Sequence, residues 1–511
     1  MTPRPRLSSL RPLLQHSFST TPLASTSKLP LPPLLFSIAS SQSTSQSLPT
    51  TLNGWIRLIR KQKTISFAVI ADGTVKGGTQ VVLPKGLEEG LTIGGSASFE
   101  GEWVTNPRGK DQQEFKVNKV TWIGESDAES YPIPNTKQGI PLPILRHNAH
   151  LRARKDEMAA VLRVRSEMNW AMSDYFRNEG FLKVEAPIIT SSDCEGGGEV
   201  FKVIDATPPP SANNTSDSHS DSPPPPPPPS RFLSVSSQLH LEAIASSHPR
   251  VYALSPCFRA EKSDTARHLQ EFWMLEAEMS FLDESPREAL EQVMAVTEGS
   301  VRAIARHVRE TMGKDEDYLA ERAKTLLDLD LKRRTDGLLA YAPYPRLTYS
   351  EAVEKLEEVY AKDSSLFVYK PEWGASLQTE HEKYLAEQLI KGPLFVTDYP
   401  SSLKPFYMLK NSPSQSGQTT ACFDLLVPHL GELAGGSLRT HSHDELLKAL
   451  EEATPKMKKE DYEWYLDLRK YGTTRHGGFG IGWERLVGLL TGMGNVRECI
   501  AFPRAGEGSR F

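Results

Sequence analysis

Between residues 51 and 124 apolar and polar positions alternate in runs broken by Gly, Pro and Asn. Asn53-Gly-Trp-Ile-Arg-Leu-Ile-Arg, Ile65-Ser-Phe-Ala-Val-Ile, Gln80-Val-Val-Leu, Ala97-Ser-Phe-Glu-Gly-Glu-Trp and Phe115-Lys-Val-Asn-Lys-Val-Thr-Trp each turn one face inward with a period of two. Five short strands in this span predict a small barrel, with an OB-fold as the first candidate and an SH3-like barrel as the second. Residues 126–148, with Pro132, Pro134, Pro141 and Pro143, read as a linker. The period then becomes helical. Met158, Val161, Leu162, Met168, Met172 and Phe176 form one apolar stripe, Gly180 stops the helix, and a strand over 181–186 ends at Pro187. That stripe suits core packing and a dimer contact equally well.

Further helices are predicted over 286–312, 316–333, 377–391 and 442–470. Strand-like runs such as 394–397 and 423–427 lie among them without regular alternation. That favours an α+β fold with an antiparallel sheet flanked by helices over a doubly wound one. The chain therefore divides into a leader (1–48), a barrel (50–125), the linker (126–148) and a larger domain (149–511). An insert over 207–231 contains seven consecutive prolines, Pro223 to Pro229, and reads as a surface loop between two strands.

With 511 residues, 24% charged and 38% hydrophobic, the chain has the composition of a multidomain globular protein. A net charge of −5 excludes a polycation, so any nucleic acid must meet a local basic face. No Asp or Glu precedes Asp72, whereas Arg4, Arg6, Arg11 and Lys28 stand among many Ser, Thr and Leu; this is the composition of an organelle transit peptide. The apolar stretch Leu29 to Ala39 is too short, and too broken by prolines, to span a bilayer. Cys194, Cys257, Cys422 and Cys499 contain no Cys-x-x-Cys pair, which argues against a disulfide framework or a zinc site.

Two segments carry chemistry. Val251-Tyr-Ala-Leu runs into Phe258-Arg-Ala-Glu261 and returns, after a polar loop, as Glu271-Phe-Trp-Met-Leu-Glu-Ala-Glu-Met; this hairpin places Arg259 opposite Phe272. A forked cation and an aromatic plane are what a nucleotide needs for its phosphate and its base. The second segment, Gly477-Gly-Phe-Gly-Ile-Gly-Trp-Glu-Arg485, lets backbone approach a bulky ligand closely and ends in another arginine.

Phe258-Arg259-x-Glu261, with Thr265 to His268 and Glu271-Phe272, resembles the second signature of class II aminoacyl-tRNA synthetases. Gly478 to Arg485 resembles the third, and the long helix ending in Pro187 the first. With the barrel upstream, the order is that of the aspartyl, asparaginyl and lysyl subclass. Asp193 to Phe201, Ser236 to Glu242, Phe395 to Pro400, Lys404 to Met408 and Asp424 to Arg439 resemble the asparaginyl branch most, and the resemblance covers nearly all of 52–504.

The resemblance implies an ATP-dependent ligase that activates L-asparagine and charges tRNA(Asn), acting as a homodimer without a membrane anchor. With the leader, it implies the mitochondrial matrix. It assigns Arg259 to the α-phosphate, Phe272 to the adenine and Arg485 to the adenine's other face and the γ-phosphate. Glu261, His268 and Gly482 complete the ATP set, and Asp424 with Glu432 hold Mg²⁺, an ion suited to hard oxygen ligands. Arg259 and Arg485 are then the catalytic residues. Glu195 and Gln238 receive the α-ammonium, Arg439 grips an oxygen of the amino acid, and Glu242 accepts from the side-chain amide. Aspartyl enzymes carry Lys where this chain has Leu241. A surface helix position is the other reading of Glu242.

In the barrel the resemblance assigns Phe67 to stacking on the middle anticodon base and Gln80 and Glu114 to hydrogen-bonding it, with Arg57, Arg60, Lys61 and Lys63 near phosphates. Phe67 also suits the barrel core. Rival readings are an aspartyl-tRNA synthetase, including one accepting both tRNAs, a non-catalytic RNA-binding paralogue, and an amide-forming ligase acting on free aspartate. Retention of Arg259, Glu432 and Arg485 argues against the paralogue, and the barrel against the free-aspartate ligase.

Overall fold

The computed structural model describes residues 34–35, 50–106, 113–134, 139–191, 200–204, 231–260, 265–340, 343–413, 417–453 and 457–504, which fall into two compact units. The transit-peptide expectation, the proline run, Glu195 and Glu261 lie outside the described residues.

In the first unit β1 (Thr51–Lys61), β2 (Ile65–Ala71), β3 (Thr79–Pro84), β4 (Ser96–Thr105) and β5 (Gln113–Gly124) close a barrel in the order β1-β2-β3-β5-β4, as in an OB-fold. Period-two alternation fills its interior. Ser66, Ala68 and Ile70 point inward from β2, Val81 and Leu83 from β3, and Phe115 and Val117 from β5. Phe67 is on the opposite, half-exposed side of β2, which removes the core reading.

The second unit opens with helices α1 (Leu142–His147), α2 (Ala149–Arg152) and α3 (Asp156–Asn178), so the stretch read as linker is helical at its end. Short strands β6 (Leu182–Lys183), β7 (Ile189–Thr190), β8 (Lys202–Val203) and β9 (Arg231–Leu233) follow. β8 and β9 pair antiparallel, so the proline-rich insert connects two paired strands. Next come α4 (Gln238–Ala245), β10 (Arg250–Phe258), β11 (Glu271–Ser280), α5 (Pro286–Thr311), α6 (Gly313–Leu327) and α7 (Leu331–Ala340). The chain continues through β12 (Arg346–Thr348), α8 (Tyr349–Lys362), α9 (Thr379–Tyr384), β13 (Leu394–Thr397), β14 (Cys422–Val427) and β15 (Gly431–Leu438). It closes with α10 (His443–Glu452), α11 (Glu463–Lys470), β16 (His476–Gly482) and α12 (Trp483–Thr491).

Eight strands form one sheet, in the order β12-β13-β14-β15-β16-β11-β10-β6. The six central strands are antiparallel and the two edge pairs parallel. The fold is thus α+β, as the unalternating pattern predicts.

Several boundaries differ from expectation for local reasons. The helix expected over 316–333 breaks because Asp328 takes a left-handed conformation (φ 51°) that caps α6. The one expected over 442–470 divides into α10 and α11, and the strand over 181–186 shrinks to two residues beside β10. α8 was not foreseen, although Thr348 and Glu351 form a capping box at its start.

Alternation along β11 separates core from site. Leu275, Ala277 and Met279 pack with Met168, Met172 and Phe176 of α3 and Val293 and Val301 of α5. Phe272, Met274, Glu276 and Glu278 point the other way, towards α4 and a cavity. β16 repeats the division, with Phe479 and Ile481 in the core and the even-numbered glycines opposite.

At Gly478 a Cβ would stand 2.1 Å from Glu278 Oε2 and 2.2 Å from the Ala277 carbonyl, whereas at Gly313 it would meet nothing within 4 Å. Gly478→Ala is therefore expected to destabilise by about 1–3 kcal/mol and Gly313→Ala to be neutral or mildly stabilising. Urea unfolding of both variants measures the difference, and equal effects would contradict the close packing.

Candidate active site

Arg259 follows the last residue of β10, and its backbone N–H donates to the Gln270 carbonyl at 3.0 Å. The ladder pairs Cys257 with Phe272, so the expected direct opposition of Arg259 and Phe272 becomes a two-residue offset. The guanidinium still lies over the Phe272 ring, 5.3 Å from its centroid. β16 runs antiparallel between β11 and β15 and ends where α12 begins. Arg485, in the first turn of α12, thus reaches Glu432 of β15, donating from Nη1 to its carbonyl at 3.1 Å and its Oε2 at 3.3 Å.

These groups surround a cavity of about 380 Å³. Of the residues predicted to form the site, Gln238, Arg259, His268, Phe272, Asp424, Glu432, Arg439, Gly482 and Arg485 line it together. Leu241 is also on its wall. Glu242 is not, although it is only 3% exposed, which rules out the surface-helix reading.

At one end of the cavity the carboxylates are spent on protein partners. Arg439 donates from Nε and Nη2 to Glu278 at 3.2 and 2.9 Å and from Nη1 to Ser437 Oγ at 2.6 Å. Glu242 accepts from Tyr465 at 2.7 Å, Arg469 at 2.7 Å and Gln238 at 3.1 Å, and meets His476 Nε2 at 3.0 Å. The Nδ1 of His476 lies 2.7 Å from the Thr474 carbonyl, which can only accept, so that nitrogen donates, while Nε2 sits between Glu242 at 3.0 Å and Arg469 Nη2 at 3.3 Å. Burial alone would raise the Glu242 carboxyl; Arg469, then His476 and Arg439, hold it far below the ordinary range. Burial raises Glu278 despite its pairing with Arg439, while Glu278 and Glu242 hold the Arg439 guanidinium charged against the cost of its burial. Glu242, Glu278 and His476 have the mutual spacing of metal ligands. Two guanidinium groups already occupy that spacing, so the cluster is an ion-pair network.

Glu276, also buried, accepts from the Ser237 N–H at 2.8 Å and from the Ser236 hydroxyl. It thereby fixes the start of α4, from which Gln238 projects. Burial raises its carboxyl, and these two donors oppose the shift.

At the other end Lys404 Nζ contacts both oxygens of Asp424 at 3.0 Å. Asp424 and Glu432 converge over Gly435, where a Cβ would lie 3.3 Å from Asp424 Oδ1 and 3.7 Å from Glu432 Oε1. Burial opposes the Glu432 charge, but Arg485, Lys404 and Arg267 keep its carboxyl below the ordinary value. Glu382, behind Glu432, is pushed up to about 7 by burial and by the Glu432 charge.

In the barrel unit, Phe67 and Gln80 share one outer face, and Gln80 Nε2 donates to the buried Glu114 at 2.8 Å.

Sequence reading gave no role to Glu276, Glu278, Lys404, Arg469 or His476. For the two glutamates a signal was present: in Glu271 to Met279 the residues between the apolar positions are the ones that face the cavity. Nothing in the spacing of Arg469 points 227 residues back to Glu242.

The chain matches the model of the tRNA synthetases class II (D, K and N) over residues 143–506. It belongs to that family. The asparagine–tRNA ligase of Clostridium novyi is 40% identical over 465 residues, covering 90% of this chain and 95% of the relative. That of Oleidesulfovibrio alaskensis is 39% identical over 88% of this chain and 94% of its own length. Among solved structures, asparaginyl-tRNA synthetase from Pyrococcus horikoshii complexed with asparaginyl-adenylate superposes with a TM-score of 0.75 at 30% identity, covering 89% of this chain and 95% of that one. The Entamoeba histolytica asparaginyl-tRNA synthetase complex with asparaginyl-adenylate gives 0.72 at 28% identity, covering 91% and 97%.

The Glu382 carboxyl yields a prediction with a definite sign. Its folded value, about 7, lies above the ordinary 4.5, so the folded state holds the proton more tightly and ionisation costs stability. Relative to Glu382→Gln, the protein without nucleotide or divalent cation should lose up to about 3 kcal/mol as pH rises from about 4.5 through about 7. Denaturant unfolding across that range tests it; a difference independent of pH would show that Glu382 is not held protonated.

Proposed function

We propose that the protein is an asparagine–tRNA ligase. The asparagine α-carboxylate attacks the α-phosphorus of ATP, the bond from that phosphorus to the bridging oxygen breaks, and pyrophosphate leaves with the bonding electrons. A hydroxyl at the tRNA 3′ end then attacks the carbonyl of asparaginyl-AMP and releases AMP. Positioning and charge stabilisation carry both steps, with no covalent enzyme intermediate.

One observation carries the choice of amino acid: Arg439, the cation at that end of the cavity, is already paired with Glu278. Leu241 beside it offers no second cation. A ligand carboxylate there would face Glu278 uncompensated, while a neutral amide can both donate and accept. Glu242 acts on the cavity through Gln238, which it holds at 3.1 Å, and Arg439, at 3.7 Å. Gln238, with Glu195, receives the α-ammonium.

At the nucleotide end Phe272 stacks on adenine, Arg259 binds the α-phosphate and Arg485 covers the base and takes the γ-phosphate, with His268 on the same wall. Glu261, outside the described residues, belongs to the same proposed set. Asp424 and Glu432 supply hard carboxylate oxygens converging over an uncovered glycine, a donor set that fits Mg²⁺. When bound, the ion neutralises phosphate charge. Phe67, Gln80 and Glu114 read the anticodon by stacking and hydrogen bonding. The half-exposed or exposed apolar side chains Trp170, Leu182, Ile188 and Ile189 support pairing of two copies. The acid-free first 71 residues support a mitochondrial matrix address. N-terminal sequencing of the protein from isolated mitochondria tests that address; an intact Met1 on a cytosolic protein would refute it.

Arg485→Ala is expected to reduce asparagine-dependent ATP–pyrophosphate exchange by about a hundredfold or more while leaving tRNA binding near wild type. Exchange at the wild-type rate would overturn the nucleotide assignment.

A further inference from the structure

A second cavity, of about 690 Å³, lies beyond the nucleotide end of the first and shares Arg267, His268, Glu432 and Arg485 with it as a common wall. Its outer lining includes Arg334 of α7 and Lys383 of α9, neither of which enters the site described above. Arg334 is poorly satisfied for a partly buried guanidinium: Nη1 makes one long bond, 3.4 Å, to the Leu489 carbonyl, and the buried Nε has no partner. Burial lowers its pKa to about 10, and the Glu387 charge opposes that shift. Lys383 has no carboxylate partner among the described residues. The acids on the same wall are already committed. Glu484 is held by Arg165 and the Trp273 N–H, Glu432 by Arg485, and Glu382 lies 3.8 Å from Arg267. The cavity therefore presents two cations that form no ion pair among the described residues, next to the proposed place of the distal phosphates of ATP.

We propose that this cavity is the exit site for inorganic pyrophosphate, with Arg334 and Lys383 receiving the anion after it leaves Arg485. The inference rests on the ATP-dependent reading above. The leaving group separates with both electrons of the broken phosphorus–oxygen bond and gains charge. Forked and point cations then favour it over the intact triphosphate, which remains anchored by its adenosine.

The test is asparagine-dependent ATP–pyrophosphate exchange by the full-length protein, with inorganic pyrophosphate varied. Arg334→Met and Lys383→Gln should each raise the KM for pyrophosphate about tenfold, while the KM for ATP in tRNA charging stays within about twofold. Lys383 is half-buried on a helix surface, so its variant keeps the test open if Arg334→Met fails to fold. Unchanged pyrophosphate dependence in a folded variant overturns the inference. So does a selective rise in the KM for tRNA, which would make the cavity a contact for RNA phosphates. Wild-type protein that shows no exchange at all would instead overturn the activity, and this inference with it.

Discussion

Two buried ion pairs, Glu242 with Arg469 and Glu278 with Arg439, are the constraint on which the site depends. With His476 they join α4, β11, the end of β15, α11 and the start of β16, elements separated by up to 234 residues of chain. Each charge would be costly alone. Removing one partner from such a pair typically costs about 3–5 kcal/mol, because the other is left buried and uncompensated. With Tyr465, His476 and Ser437 taking further bonds, and Arg469 Nη1 left without a partner, the network holds its members in defined orientations. On the proposed reading, selectivity follows from the pairing of Arg439 with Glu278. A cavity whose cation is already neutralised has nothing to offer a second carboxylate.

At the other end the charges are less balanced. Arg259 and Arg485 approach the cavity from the ends of β10 and β16, while burial, and then the Glu432 charge, raise the carboxyls of Glu382 and Asp424. A site that handles a polyphosphate with its counter-ion requires both signs within reach. The even-numbered glycines of β16 keep the floor beneath it open. On the proposed reading the contrast gives the cavity direction: paired and neutralised at the amino-acid end, charged at the phosphate end.

Much of this was legible in the sequence because short-range patterns carried it. Period two placed the barrel strands, period 3.6 placed α3, and the unalternating order of the remainder gave an antiparallel α+β sheet. Arg259, Phe272, Gly482 and Arg485 stood within recognisable local signatures. What stayed hidden depends on sequence-distant contacts. Arg469 and His476 meet Glu242 only after folding, and Glu242 stands behind the cavity wall, where it holds Gln238 and Arg439. Asp328 broke a helix through one left-handed residue, which periodicity does not register.

The central claim is that a pre-neutralised arginine selects a neutral amide. Its most direct test is the kcat/KM of the wild-type protein for asparagine and for aspartate in ATP–pyrophosphate exchange, measured side by side. The account predicts a preference for asparagine of about a thousandfold or more. Equal activation of the two amino acids, or a preference for aspartate, would contradict it.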